Sequence, residues 1–154
     1  MGLFDRLRGD GNPRVAFFGI DGVPYSLIDD NPDEFENLTA LEADGSGGPI
    51  NSIVPPESSA CWPSLTTGVN PGETGVYGFQ DRETDSYETY VPMGRDVQAT
   101  RLWDRVQGAN REATVMNVPV TFPPQENVTR MVSGFLSPGV DRAARPEELR
   151  SHLE

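Results

Sequence analysis

The sequence predicts an α/β fold with a mostly parallel central sheet, and three observations carry that expectation. Val15 to Ile20 and Ala113 to Val118 are continuous apolar runs of strand length, the pattern of strands buried on both faces. Segments with helical character lie between such runs, as βαβ units require. The composition is loop-rich, with 16 Gly and 14 Pro in 154 residues and a 36% hydrophobic share, which argues against a bundle or coiled coil. A chain of this length suits one domain with its own core.

Taken in order, residues 1–13 read as a lead-in. LFDRL forms at most one amphipathic turn, and GDGNP breaks it. Residues 14–154 form the domain. Its first strand, Val15 to Ile20, closes on Asp21-Gly22. Ligands of open α/β sheets gather at the carboxyl ends of strands, so Asp21 is a candidate ligand-binding residue. Capping the next turn is the plainer role for the same side chain. Residues 24–48 predict one or two short helices with a partial stripe of Leu38, Ala40 and Leu41, ended by DGSGG. Ile50 to Val54 reads as a second short strand, stopped by Pro55-Pro56.

Ser58 and Ser59 are both good N-caps for a helix over Ala60 to Thr67. With Ser59 as the cap, Pro63 falls in the first turn, where no intrahelical donor is lost, and Gly68 closes the helix. A hydroxyl there faces backbone N–H groups and the positive end of the helix dipole, both of which favour a phosphate or a developing oxyanion. Serine at a helix start is most often only a cap.

NPGETG predicts two turns, and DRETDSYETY an edge hairpin. LWDRVQGA predicts a helix with Leu102, Trp103 and Val106 inward and Gly108 at its end. Ala113 to Val118 is the next strand, VTFPP an extended segment, Met131 to Leu136 a further strand and SPGVD a loop. PEELRSHLE starts a helix with Pro146 in its first turn.

The net charge is −12, from 24 acidic and 12 basic residues, and every basic residue is Arg. That balance disfavours binding to a nucleic-acid backbone, which needs a basic surface. Dense carboxylates without Lys suit a cytoplasm of high salt. The single Cys permits no internal disulfide and fits a reducing cytoplasm. No apolar run reaches the roughly 18 residues of a membrane span, and the first ten residues lack the apolar core of a secretory signal.

Several chemistries find little support. The one His, His152, lies at the chain end, so a Ser-His-Asp triad or a His-rich zinc site is not indicated. No Walker A or GxGxxG pattern is present. Cys61-Trp62-Pro63-Ser64 begins like the sulfatase signature C-x-P-S-R, but Leu65 stands where that pattern needs Arg. Cys61 reads instead as a packing residue.

FFGIDGVP, PPESSACWPSLTTGVNPGETGVYGF, NVPVTFPP and SGFLSPG, in this order, resemble the alkaline-phosphatase superfamily, and most closely its type I phosphodiesterase/nucleotide pyrophosphatase branch. The resemblance covers almost the whole chain, and the acidic, Lys-free composition resembles that of a haloarchaeal member. It implies an alkaline-phosphatase-like α/β sandwich with a mostly parallel sheet and a site for two divalent metal ions, Zn or Mn. By resemblance Asp21 is a metal ligand. Ser58, placed by its spacing to Thr67-Gly68, is the nucleophile and also touches a metal, with Ser59 its rival. The implied reaction is in-line attack of the Ser58 oxygen on the phosphorus of a small-molecule phosphoester, then hydrolysis of the phospho-enzyme.

The chain departs from the pattern in two places. Thr74-Gly75 stands where members carry His-Gly, and the Asn of nucleotide pyrophosphatases is missing after it. The family's remaining metal ligands belong to a C-terminal half that this sequence does not contain, so the chain is expected to be inactive, or nearly so, by itself. Two alternatives stand beside the hydrolase: a non-catalytic truncated fragment or remnant, and a phosphoglycerate-mutase-like member of the same superfamily.

Overall fold

The structure, a computed structural model, describes residues 14–153. The lead-in expected over residues 1–13 lies outside them. The chain divides into two compact units, the first ending at Ile50 and the second running from Asn51 to Glu154.

In the first unit, residues 14–20 carry no regular structure, and Val15, Phe17, Phe18 and Ile20 are exposed. The first buried strand is therefore a misreading. A strand exists only through ladder bonds to a neighbour, and the described residues of this unit include no strand to supply them. The two short helices are present: α1 over Tyr25–Asp29 and α2 over Glu36–Asp44, which stops at Gly45. The Tyr25 hydroxyl donates to Glu42, pinning α1 to α2. That bond, more than burial or the nearby charges, holds the phenol above its ordinary pKa.

In the second unit, the expected strand Ile50 to Val54 is likewise irregular, with Val54 exposed. Helix α3 spans Ser58–Thr67 with Glu57 as its N-cap, two residues earlier than expected. Pro63 is thus inside the helix and removes the donor that would have reached the Ser59 carbonyl. Gly68 ends α3 in the left-handed conformation, φ 78°, a geometry that a side chain would strain. NPGETG is a single helical turn rather than two loose turns: α4 spans Pro71–Thr74 and packs on α3. Asn70 caps it by accepting from the Gly72 N–H, Pro71 sits at the first position, and Gly75 closes it at φ 77°.

The expected hairpin forms as β1, Asp81–Arg82, antiparallel to β2, Thr89–Tyr90. After a short 3₁₀ turn at Gly94–Asp96 comes α5, Leu102–Gly108. Trp103 points into the core, but Leu102 faces solvent at 51% exposure, so the inward set is displaced from the one the periodicity suggests.

The main sheet has three strands in the order β3 (Thr114–Val118), β4 (Arg130–Ser133) and β5 (Ala144–Arg145). β3 and β4 run parallel, while β5 is antiparallel to β4. With the separate antiparallel hairpin, this corrects the expected mostly parallel sheet: the fold is mixed α/β with small sheets. β3 carries an irregularity between Met116 and Val118, where Asn117 adopts φ 56°. Asn tolerates that region because its short side chain bonds locally. β4 ends at Ser133, and Phe135-Leu136 form a turn, so the expected strand to Leu136 is shorter. SPGVD runs into a short helix, α6, Val140–Ala143, and the C-terminal segment is a 3₁₀ helix over Glu147–His152.

The core of the second unit gathers Trp103, Val115, Val128 and Met131, with Ala113 and Val118 against it. The β3–β4 crossover, residues 119–129, contains no helix. Polar ties fix it instead. Thr121 Oγ1 donates to the Val118 carbonyl at 2.6 Å and accepts from the Gly134 N–H at 3.1 Å. Ser133 Oγ donates to the Thr121 carbonyl at 3.0 Å. Asp104 on α5 accepts from Gln125 and Asn127, and the Trp103 indole donates to Gln125.

Candidate functional site

The start of α3 is the place to which the sequence pointed, and local chemistry explains its rigidity. Ser59, Ala60, Pro63, Ser64, Thr66 and Thr67 are all buried. Thr66 and Thr67 turn their hydroxyls back onto the Pro63 carbonyl, at 3.2 and 2.7 Å, which takes up a backbone acceptor of the last turn. Thr74, fully buried on α4, accepts from the Val76 N–H through its hydroxyl and from the Gln98 N–H through its carbonyl. In place of an imidazole at this position, the chain has a structural hydroxyl.

Ser58 is the first residue of α3 and half-buried, whereas Ser59 is 3% exposed. Of the two hydroxyl candidates, Ser58 is the more accessible. Neither serine is the cap; that position belongs to Glu57. Asp21 is exposed in the Asp21-Gly22 turn, with Gly22 at φ 71°. Asp21 belongs to the first unit and Ser58 to the second, and each is placed only within its own unit.

Glu57 is the residue that sequence reasoning missed. Its carboxylate makes no bond to its own helix. It reaches 22 residues along the chain and accepts from the Phe79 N–H at 2.9 Å. Gly78 lies beneath it: a Cβ at that position would come within 2.7 Å of Glu57 Oε2. Phe79 also meets Phe135 edge to face, with ring centroids 6.0 Å apart. The turn after α4 is therefore tied on one side to the start of α3 and on the other to the loop after β4. Nothing in the local pattern of PPESSA announces such a contact.

Cys61 is half-buried with its sulfur 3.7 Å from Ser52 Oγ, which fits its reading as a packing residue. His152 lines a groove of about 180 Å³ with Leu149, Leu153, Met116 and Met131. A more polar cleft of about 280 Å³ lies at the hairpin, lined by Tyr77, Asp81, Arg82, Tyr90 and Gln98. Desolvation, reinforced by Asp81, raises the Tyr90 phenol above its ordinary pKa, so it is a neutral hydroxyl there at physiological pH.

Arg101 is 3% exposed, with Nη2 donating to the carbonyls of Val120 at 2.8 Å and Gly94 at 3.1 Å. Its guanidinium lies over the Trp103 ring, 5.3 Å from the centroid. Burial lowers its pKa to about 10, against the opposing pull of Asp104. Val120 is a β-branched residue at φ 57°, a strained conformation, and the Arg101 bond to its carbonyl helps to hold it. Arg101 is thus a brace for the crossover.

The two divalent ions implied by the resemblance require several oxygen or nitrogen ligands at close range. Among the described residues, no group of three or more His, Cys, Asp and Glu side chains gathers to hold a metal ion. Within each unit, the described donors therefore fall short of the set a two-metal centre needs. No helix among the described residues is long and apolar enough to cross a membrane.

Comparison with known proteins yields one finding. A family model described as type I phosphodiesterase / nucleotide pyrophosphatase matches residues 15–153. No curated protein matches the chain, and no solved structure does.

Proposed function

The chain belongs to the type I phosphodiesterase/nucleotide pyrophosphatase family, and from that premise we propose that it is a phosphoester hydrolase whose nucleophile is Ser58. Its substrate is a small-molecule phosphoester. The observation that carries the assignment is the contrast at the head of α3, where Ser58 is half-buried and reachable while Ser59 is 3% exposed. The Ser58 oxygen attacks phosphorus in line with the departing group. An O–P bond to Ser58 forms as the bond to the leaving oxygen breaks, the serine proton passing to the leaving oxygen or to water. A water molecule then cleaves the phosphoseryl bond to release a phosphomonoester from a diester or phosphate from a monoester. The positive end of α3 favours the charge that develops on the phosphoryl oxygens.

Asp21 is proposed as a metal-ligating carboxylate of the first unit and Ser58, independently, as a metal contact of the second. The family generally uses divalent metal ions; Zn or Mn is the proposal here. Because the described residues gather no set of three ligating side chains, turnover by this chain alone is proposed to be slight. The discriminating measurement is calorimetric titration of Zn²⁺ or Mn²⁺ into the wild type, Asp21→Ala and Ser58→Ala. Both variants are expected to bind more weakly, and unchanged binding in both would sink the site assignment. Rapid metal-dependent hydrolysis of bis(p-nitrophenyl) phosphate by the purified chain would overturn the proposal of slight turnover.

A second reading, a non-catalytic piece that needs a C-terminal half, is favoured by one observation. In the first unit Val15, Phe17, Phe18, Ile20 and Ile50 are all exposed, from 58 to 88%, more apolar surface than isolated exposed residues would explain. Supplying the proposed C-terminal half as a separate polypeptide separates the readings. Restored hydrolysis supports an incomplete enzyme, and binding without hydrolysis supports the non-catalytic piece.

A further inference from the structure

We infer that Glu57, Gly78 and Phe79 form a latch that keeps a carboxylate off the substrate-facing end of α3. The inference rests on the reading of that helix start as the phosphoester site. Glu57 is the N-cap residue of α3. An aspartate at the N-cap ordinarily turns its side chain back to accept from the second or third N–H of its own helix, and Glu57 carries the same carboxylate one methylene further out. Here those donors belong to Ser59 and Ala60, and Glu57 accepts from neither through its side chain. The carboxylate is instead taken by the Phe79 N–H at 2.9 Å. The backbone carbonyl of Glu57 still accepts from Ala60 and Cys61, so the helix begins normally while its capping side chain is diverted.

The diversion has an electrostatic consequence. A carboxylate folded onto the head of α3 would occupy the ground that an anionic phosphoester must take, and like charges at close range repel. Held by Phe79, the same carboxylate no longer competes for that ground. The latch needs Gly78, because a Cβ there would stand 2.7 Å from Glu57 Oε2. The clash is with the far end of a flexible side chain, so Gly78→Ala would leave the fold standing and release the carboxylate.

This predicts an inversion that a merely structural contact would not produce. Removing Glu57 removes the competitor, whereas removing the room at Gly78 sets it loose. The probe is inorganic phosphate, titrated into the full chain and followed through the Ser58, Ser59 and Phe79 amide resonances. Glu57→Ala is expected to bind phosphate at least as tightly as wild type. Gly78→Ala is expected to bind roughly two- to fivefold more weakly, the scale of one charge at a helix end. The double variant should return to the Glu57→Ala value, a non-additivity that only coupled residues show. The Phe79 amide should lose its hydrogen-bonded shift in all three variants.

An equal weakening by Gly78→Ala with and without Glu57 overturns the latch. So does a Phe79 amide that ignores Glu57→Ala. If the Phe79 amide responds as expected but phosphate moves neither serine amide in any variant, the reading of α3 as the phosphoester site fails, and the functional role of the latch fails with it.

Discussion

Met116 and Met131 make a matched pair, one residue out of register on neighbouring parallel strands, and they should respond very differently to truncation. Met131 on β4 is 0% exposed and packs with Trp103, Val115 and Val128; Met116 on β3 is 64% exposed. Met131→Ala removes buried methylenes and leaves a cavity beneath the indole, a change that costs about 2–5 kcal/mol in well-packed cores. It also deprives the Gln125 N–H of the sulfur it meets at 3.2 Å. Against a total stability of roughly 5–15 kcal/mol for a domain, that loss is large. With a urea m-value of about 2 kcal/mol/M, the midpoint should fall by roughly 1–2.5 M. Met131→Leu, nearly volume-conserving, should cost less than about 1.5 kcal/mol. Met116→Ala should stay within about 0.5 kcal/mol of wild type. Urea unfolding followed by Trp103 fluorescence reads all three. Equal losses for Met116→Ala and Met131→Ala would refute the placement of the core on one face of β3–β4.

Other perturbations test separate parts of the second unit. Gly68 and Gly75 share a left-handed φ, but a Cβ at Gly68 meets nothing within 4 Å whereas one at Gly75 comes within 2.7 Å of Gln98. In thermal melts Gly68→Ala should therefore cost about 1–2 kcal/mol of backbone strain alone, and Gly75→Ala more. The reverse order would contradict the capping geometry. Asn70→Ala removes the cap of α4 and should cost about 1 kcal/mol, with Asn70→Ser retaining most of it. Asn70→Asp, which faces Glu73 in place of the amide that now donates to it at 3.0 Å, should be less stable than Asn70→Ser, and an Ala variant as stable as wild type would argue against the cap. For Arg101, the folded chain releases its guanidinium proton near pH 10 while the unfolded chain still holds it. The unfolded state then binds more protons, so stability relative to Arg101→Met should rise as the pH climbs above about 10. A stability difference that stays flat over that range would mean that Arg101 is not buried as described.

Much of the local architecture was legible, for reasons that are themselves local. Thr67-Gly68 announced the end of α3 because only Gly enters the left-handed region without cost. DRETDSYETY announced a hairpin, and Ala113 to Val118 a strand, because period and bounding turns are written in adjacent residues. The errors fall where the deciding partner is distant. Val15 to Ile20 has the pattern of a central strand, yet a strand depends on neighbours that apolarity cannot supply. Leu102 turns to solvent although its period set it inward, whereas Trp103 is buried as expected, its indole N–H taken by Gln125, 22 residues on. Of the candidate site, Ser58 was reached by spacing, but the structure moved the cap to Glu57, whose contact spans 22 residues. Asp21 was named from its place after an apolar run, and the structure leaves it exposed on a turn of the first unit.

The exposed run from Val15 to Ile20 also governs how this molecule meets copies of itself. Arg14 and Asp21 bracket the run with one charge each, in the manner of gatekeepers around an unavoidable sticky segment. Between them lie six residues without charge or proline, irregular and solvent-facing, a template for intermolecular pairing. What opposes that pairing is the net charge of −12 on every molecule. Such repulsion reaches about 30 Å at 0.01 M salt and only about 3 Å at 1 M. Self-association of the chain is therefore expected first at a pH near its isoelectric point of about 4.4, where that charge falls silent.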